Sequence, residues 1–227
     1  MSNKYLYQLS TNPNSLIVCP DSNADVSFAK RIFDLLIALP CVLLLSPVIL
    51  IIAILVMLDS PGNPFFTQIR VGKNGKLFII FKIRTLFIDQ FGIFLEEELV
   101  NPGRITRLGK FLRRSKLDEL PQLINVALGD MSLVGPRPDI IEQVNNYTDV
   151  QRKRLSVKPG LTGLTQISGN NMLSWPHRIW LDIWYIEHRT WFLNLQIIAL
   201  TFITLFRGET IKADPLNLHK KVPSELK

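Results

Sequence analysis

The chain has 227 residues, 47% hydrophobic and 20% charged, with a mean hydropathy of +0.20 and no repeat or low-complexity tract. This fits one folded domain with at most an appended element, and it excludes disordered, collagen-like and repeat architectures. Lys and Arg number 26 against 19 Asp and Glu, and the net charge of +7 favours an anionic partner such as nucleic acid, a phosphorylated metabolite or an acidic membrane face. Cys19 and Cys41 belong to no C-x-x-C or Cys/His pattern, which excludes a disulfide scaffold and a structural zinc site.

Residues 1–25 are polar and read as a leader. From Leu35 to Leu58 no residue carries a formal charge, and Leu, Ile and Val dominate. A straight helix of that length reaches roughly 36 Å, enough for a hydrocarbon core of ~30 Å. Ser46 and Pro47 lie near its centre. Pro47 removes a backbone donor and its ring presses on the Leu43 carbonyl, so a bend is expected there. Each half is then too short to cross, and the Ser46 hydroxyl is placed to satisfy a freed carbonyl. Lys30 and Arg31 precede the run, while Arg70, Lys73, Lys76, Lys82 and Arg84 follow it, so both ends carry residues that prefer the cytoplasmic side. The residues alone leave open a re-entrant hairpin over 28–60 and a kinked spanning helix.

Phe65 to Val71 and Lys76 to Ile83 are β-prone and flank Gly72-Lys73-Asn74-Gly75, the pattern of a hairpin. Arg104 to Lys116 carries six basic residues and no acid, with Ile105, Leu108 and Leu112 in one stripe, which predicts a basic amphipathic helix on headgroups or on the core. A second apolar helical pattern runs from Leu117 towards Gly129. Two stiff loops follow, Gly135-Pro136-Arg137-Pro138 and Lys158-Pro159-Gly160. Trp175, Trp180, Trp184, Tyr185 and Trp191 cluster before an uncharged stretch, Thr190 to Phe206, read as an interfacial or packed helix. The aromatic cluster suits either a headgroup belt or core packing. The fold class expected is α+β, mainly helical: a membrane helix over 28–60, a catalytic domain over 61–210 with amphipathic interfacial helices and a short β-hairpin, and a tail over 211–227.

No phosphate-binding G-x-x-x-x-G-K, dinucleotide G-x-G-x-x-G, metalloprotease H-E-x-x-H or hydrolase G-x-S-x-G string occurs. No nucleic-acid motif supports that partner either, and the membrane run accounts better for the basicity. The residues with chemical promise are Asp118 and Glu119, directly after the basic helix. A carboxylate pair at a helix start is ordinarily a dipole partner. Beside Arg113, Arg114 and Lys116, and near a rigid loop presenting Arg137, it is also a place where an anionic substrate is neutralised and a carboxylate can attack phosphorus.

The strings Lys30-Arg31-Ile32-Phe33-Asp34, Ser46-Pro47, Phe81-Lys82-Ile83-Arg84-Thr85, Leu117-Asp118-Glu119-Leu120-Pro121-Gln122, Gly129 through Pro138, and Lys158-Pro159-Gly160-Leu161-Thr162-Gly163, in this order, resemble the bacterial sugar transferase family, the small monotopic phosphoglycosyl transferases. The resemblance covers roughly residues 28 to 210. It implies transfer of a sugar 1-phosphate from a UDP-sugar to undecaprenyl phosphate with release of UMP, the first membrane step of a bacterial glycan. Asp118 would be the nucleophile and Glu119 its dyad partner. Mg²⁺ would sit at Asp118, and Arg137 would clamp phosphate. Lys82, Arg84 and Arg113 are weaker phosphate contacts, each equally readable as a membrane-surface charge, and Asp182 would orient substrate or pair with Arg178. It also implies a re-entrant helix broken at Ser46 and Pro47, on the cytoplasmic face of the inner membrane. A homo-oligomer is left open.

Three positions depart from the family pattern. Gly163-Leu164-Thr165-Gln166 lacks an aromatic residue, Asn170 stands where the family usually has Arg, and Leu86 replaces a methionine. Asn170 cannot make a forked phosphate clamp, which bears on the sugar and not on the dyad. A second reading, from another class, is a catalytically silent membrane adaptor of a glycan-assembly complex. The intact dyad and Arg137 argue against it.

Overall fold

The computed structural model describes residues 24–87 and 104–207. Nearly all of the polar leader and the whole tail over 211–227 therefore lie outside the described residues. The apolar run forms one helix, α1 (Ala24–Asp59), 36 residues long with both Pro40 and Pro47 inside it. The expected break at Ser46-Pro47 does not divide it into two elements. Helical backbone continues through both prolines, because the carbonyl that Pro47 deprives of its partner is satisfied locally. The Ser46 hydroxyl donates to the Leu43 carbonyl at 2.8 Å. Leu36, Leu43, Leu44, Leu50, Ile51 and Leu58 are exposed along α1, an apolar surface larger than a water-facing helix carries, and one that fits a membrane anchor.

The expected hairpin is present. β1 (Phe65–Val71) pairs antiparallel with β2 (Leu77–Ile83), Phe65 opposite Ile83 and Val71 opposite Leu77. The connecting turn uses Asn74 at φ 56°, a left-handed conformation that asparagine tolerates. The basic helix is α2 (Arg107–Ser115), capped by the Thr106 hydroxyl, which accepts from the Gly109 amide at 2.8 Å. Its apolar stripe does not lie free on headgroups. Leu112 is buried and Leu108 half-buried against Ile52, Val56 and Ile83, so the second half of α1 covers the stripe and leaves Arg107 and Lys110 exposed.

Lys116 ends α2 in the left-handed conformation, a one-turn 3₁₀ segment Leu117–Glu119 follows, and then α3 (Gln122–Leu128) closes on Gly129 at φ 94°. Asn125, fully buried, ties α3 to β2. Its amide nitrogen donates to the Ile79 carbonyl at 2.6 Å and its oxygen accepts from the Phe81 amide. A second pairing was not foreseen: β3 (Ser132–Val134) runs parallel to β4 (Gly160–Thr162). Between them lie two short helices, α4 (Ile141–Asn145) and α5 (Asp149–Arg152). The short α6 (Leu164–Ile167), α7 (Trp175–His188) and α8 (Trp191–Arg207) complete the described chain.

The main core joins the first half of α1 through Ala38 to Ile80, Val126, Leu133, Leu181 and Ile197, with Trp180 and Trp184 packed on it. Those two tryptophans are thus core residues. Trp191, half exposed, meets Phe33 of α1 edge-on at 5.6 Å. The fold is mostly helical with small two-stranded sheets, in line with the expected class.

Candidate active site

The two stiff loops are explained by their glycines. A Cβ on Gly160 would lie 2.1 Å from the Gly135 amide nitrogen, so the Pro-Arg-Pro loop and the Lys-Pro-Gly loop pack backbone against backbone. The Gly135 amide donates to Thr162 at 2.9 Å and the Gly160 amide to Pro136 at 2.8 Å. This seam carries Arg137 at its tip, between two residues whose φ is fixed by proline.

Arg137 meets the 3₁₀ turn. Its guanidinium donates to Glu119 Oε1 at 2.9 Å, and Lys82 of β2 approaches the same oxygen at 3.5 Å. Burial pushes the Glu119 carboxyl up, but Arg137, Lys82 and Lys116 outweigh it and hold the group well below the usual carboxylate range. Glu119 is therefore an anion at neutral pH. Asp118, its neighbour in the turn, is 5% exposed. A cavity of about 300 Å³ opens here. Glu119, Arg137, Lys116 and Arg114 stand on its wall together with Gln166 and Asn170; Asp118 does not, and the rest is mainly apolar, with Thr162, Thr201 and Thr204 among it, and comes largely from α1 and α8.

The structure thus brings together Glu119, Arg137 and Lys82, with Asp118 in the same turn. Lys82 stands behind Glu119, buried, and is not on the cavity wall. Arg84 is placed differently from the expected phosphate contact: it is 1% exposed and gives its guanidinium to the Ser60 and Pro61 carbonyls at the end of α1. Arg113 donates to the Thr85 hydroxyl at 2.8 Å and does not line the cavity. Lys82 in β2 and Arg84 just past its end are both buried, the first against Glu119 and the second against the end of α1.

Asp182 is also away from the cavity. It is 1% exposed, accepts from the Thr165 hydroxyl at 2.6 Å and pairs with Arg154 at 2.8 Å. Arg178, the expected i,i+4 partner, instead lies over the Trp175 ring at 5.1 Å. Arg154 was missed from the sequence. It binds Asp139 and the Tyr147 hydroxyl, and donates to the Arg137 carbonyl at 3.1 Å, so it holds the backbone of the residue whose side chain serves the site. Its string, Gln151-Arg152-Lys153-Arg154, reads as a solvated basic run, and only tertiary contacts single out one member.

Among the described residues no group of three or more His, Cys, Asp or Glu could cage a metal. Mg²⁺ in enzymes is commonly held by one or two carboxylates completed by water and substrate phosphate; the carboxylates of this turn are Asp118 and Glu119, of which Glu119 pairs with Arg137 and Lys82 and Asp118 is buried.

A family model described as bacterial sugar transferase matches residues 26–208. An uncharacterized sugar transferase, EpsL, of Bacillus subtilis is 41% identical over 81% of this chain and 90% of its own length. The UDP-glucose:undecaprenyl-phosphate glucose-1-phosphate transferase of Escherichia coli is 39% identical over 81% of this chain, and the undecaprenyl-phosphate galactose phosphotransferase of Salmonella typhimurium 35% identical over 80%. The chain spans only about two-fifths of those last two, 41% of each.

Proposed function

Because the chain belongs to the bacterial sugar transferase family, we propose that it transfers a sugar 1-phosphate from a UDP-sugar to undecaprenyl phosphate and releases UMP. Asp118 attacks the sugar-linked phosphorus, the bond to the bridging oxygen breaks, and UMP departs with that oxygen. An oxygen of the lipid phosphate then displaces the carboxylate, forming the lipid diphosphosugar and restoring Asp118. Arg137, fixed by its prolines and by Arg154, neutralises phosphate charge, while Glu119 holds Arg137 and Lys82 in place between turnovers. Mg²⁺ at Asp118 would offset the diphosphate charge during transfer.

The observation that carries this reading is the cavity, which joins a charged end at Glu119 and Arg137 to apolar walls from α1 and α8. A polyprenyl phosphate has that same division between a charged head and a hydrocarbon tail. The attachment of α1 supports a re-entrant, one-sided placement, and the basic residues flanking both ends of the apolar run favour the cytoplasmic face. Its first turns are tied to α3 and β3 through Arg31 and Lys30, and its far end to β2 through Arg84. A spanning helix would place its two ends, both tied to the same folded body, on opposite faces of the membrane.

The experiment is UMP release from a panel of UDP-sugars by the protein in nanodiscs with undecaprenyl phosphate and Mg²⁺. One sugar should release UMP, and Asp118→Asn should abolish it. Without acceptor, the peptide containing Asp118 should gain the mass of one sugar phosphate. Full activity of Asp118→Asn would overturn the assignment of the nucleophile, and no UMP from any donor would overturn the reaction.

A further inference from the structure

A second cavity, of about 310 Å³, lies on the opposite face of β3. Leu133 lines the active-site cavity, whereas its neighbours Ser132 and Val134 line this one, as strand alternation requires. Four segments far apart in sequence converge on it: Lys30 and Arg31 from α1, Lys73 from the hairpin turn, Lys158 from the loop before β4, and Arg189 from the junction of α7 and α8. Asp34 is the one carboxylate among its lining residues.

The protein uses part of this charge. Arg31 donates to the Val126 and Ala127 carbonyls at the end of α3, and Lys30 donates to Ser132 and Val134 and lies 3.8 Å from Asp34. Carbonyls satisfy donors without cancelling charge, and among the residues lining the cavity five are cationic and one is a carboxylate. The strain shows at Lys158, whose ammonium is pushed below its ordinary value by burial and by Arg31, against the weaker pull of Asp34. The rim is apolar. Phe28 is 72% exposed beside the cavity, and Thr190 leads directly into Trp191 and Phe192, the latter 69% exposed. A cationic floor under an apolar rim, at the first turns of both apolar helices, is the environment of a lipid headgroup at the membrane surface.

We propose that this cavity binds the phosphate of an anionic membrane phospholipid, with the acyl chains leaving past Phe28 and Phe192. The site is separate from the acceptor's and does not depend on the transfer reaction. Its phosphate fixes the depth and orientation of the chain by joining α1, the hairpin turn and the α7–α8 junction through one anion.

The test is native mass spectrometry of the full chain released from nanodiscs containing phosphatidylglycerol and a neutral lipid. The protein should retain phosphatidylglycerol. The double change Lys158→Gln, Arg189→Gln should lower retention roughly fivefold for each cation removed. A matched pair on the exposed face of α2, Arg107→Gln with Lys110→Gln, should retain it as the parent does. Equal loss from both pairs would show a diffuse charge effect and overturn the proposal. So would displacement of phosphatidylglycerol by undecaprenyl phosphate, a UDP-sugar or inorganic phosphate, each of which would name a different occupant. UMP release measured on the same samples separates the two readings: retention without UMP release leaves this site standing and removes the transferase assignment.

Discussion

Two clusters of charge meet at the Pro-Arg-Pro loop and are built to opposite ends. On one side Glu119 and Arg137 stand at a cavity with Lys82 buried behind them, and the Arg137 side chain is 27% exposed. On the other Asp139, Arg154, Asp182 and Tyr147 are packed out of water, with the Arg154 and Asp182 side chains 6% and 2% exposed. Arg137 belongs to both, through its side chain in the first and its carbonyl in the second. The open cluster can trade partners when a phosphate arrives. The sealed one cannot, and its rigidity is what lets the other stay poised.

The largest effect is therefore expected from the sealed side. Arg154→Met removes the cation shared by Asp139 and Asp182 and leaves two buried carboxylates uncompensated, a loss of about 3–5 kcal/mol in chemical denaturation. A variant as stable as the parent would show that the cluster does not hold the loop. Next is Arg137→Ala, which should lower the denaturation midpoint less than Arg154→Met does, since Lys82 still pairs with Glu119, while lowering kcat for UMP release about 100-fold, the cost of one oriented charge in transfer. If both variants lost stability equally, the division into open and sealed clusters would be wrong.

A smaller and pH-dependent difference is expected at Glu119. Its folded pKa lies below the unfolded value of ~4.3, so the stability it contributes is complete above that pH and disappears as pH falls through the folded pKa. Glu119→Gln should thus melt below the parent at pH 7, and the gap should close only in strong acid. A gap that grew on acidification would reverse the sign and assign the dominant influence to burial.

What could be read from the sequence followed from local chemistry. The β1–β2 hairpin shows in its Gly-Lys-Asn-Gly turn, α2 in its charge and stripe, and the Asp118–Glu119 turn in its place after the basic helix. The pairing of β3 with β4 was hidden because each strand has three residues and more than twenty lie between them. Arg84 and Arg154 were misplaced or missed for a related reason. A sequence shows that a residue is charged, but whether its partners are carbonyls of a helix end or two buried carboxylates is decided by contacts far along the chain. Asp118 and Glu119 differ in the same way: adjacent and chemically alike, they are told apart by the partners that reach Glu119 from β2 and the Pro-Arg-Pro loop.

The mildest test concerns α1 at Ser46, where the carbonyl freed by Pro47 is served by a single local bond. Ser46→Ala removes the hydroxyl that serves the Leu43 carbonyl, and that carbonyl lies next to the prolyl ring with no amide to replace it. The expected cost is about 0.5–1.5 kcal/mol, seen as a small drop in melting temperature in nanodiscs, with UMP release retained. Pro47→Ala in the Ser46→Ala background supplies the missing amide and should recover the loss. Recovery would place the device at the proline itself. A penalty that persisted would mean that the Ser46 hydroxyl acts on something other than the carbonyl freed by Pro47, and the weak point of α1 would have to be sought at Pro40.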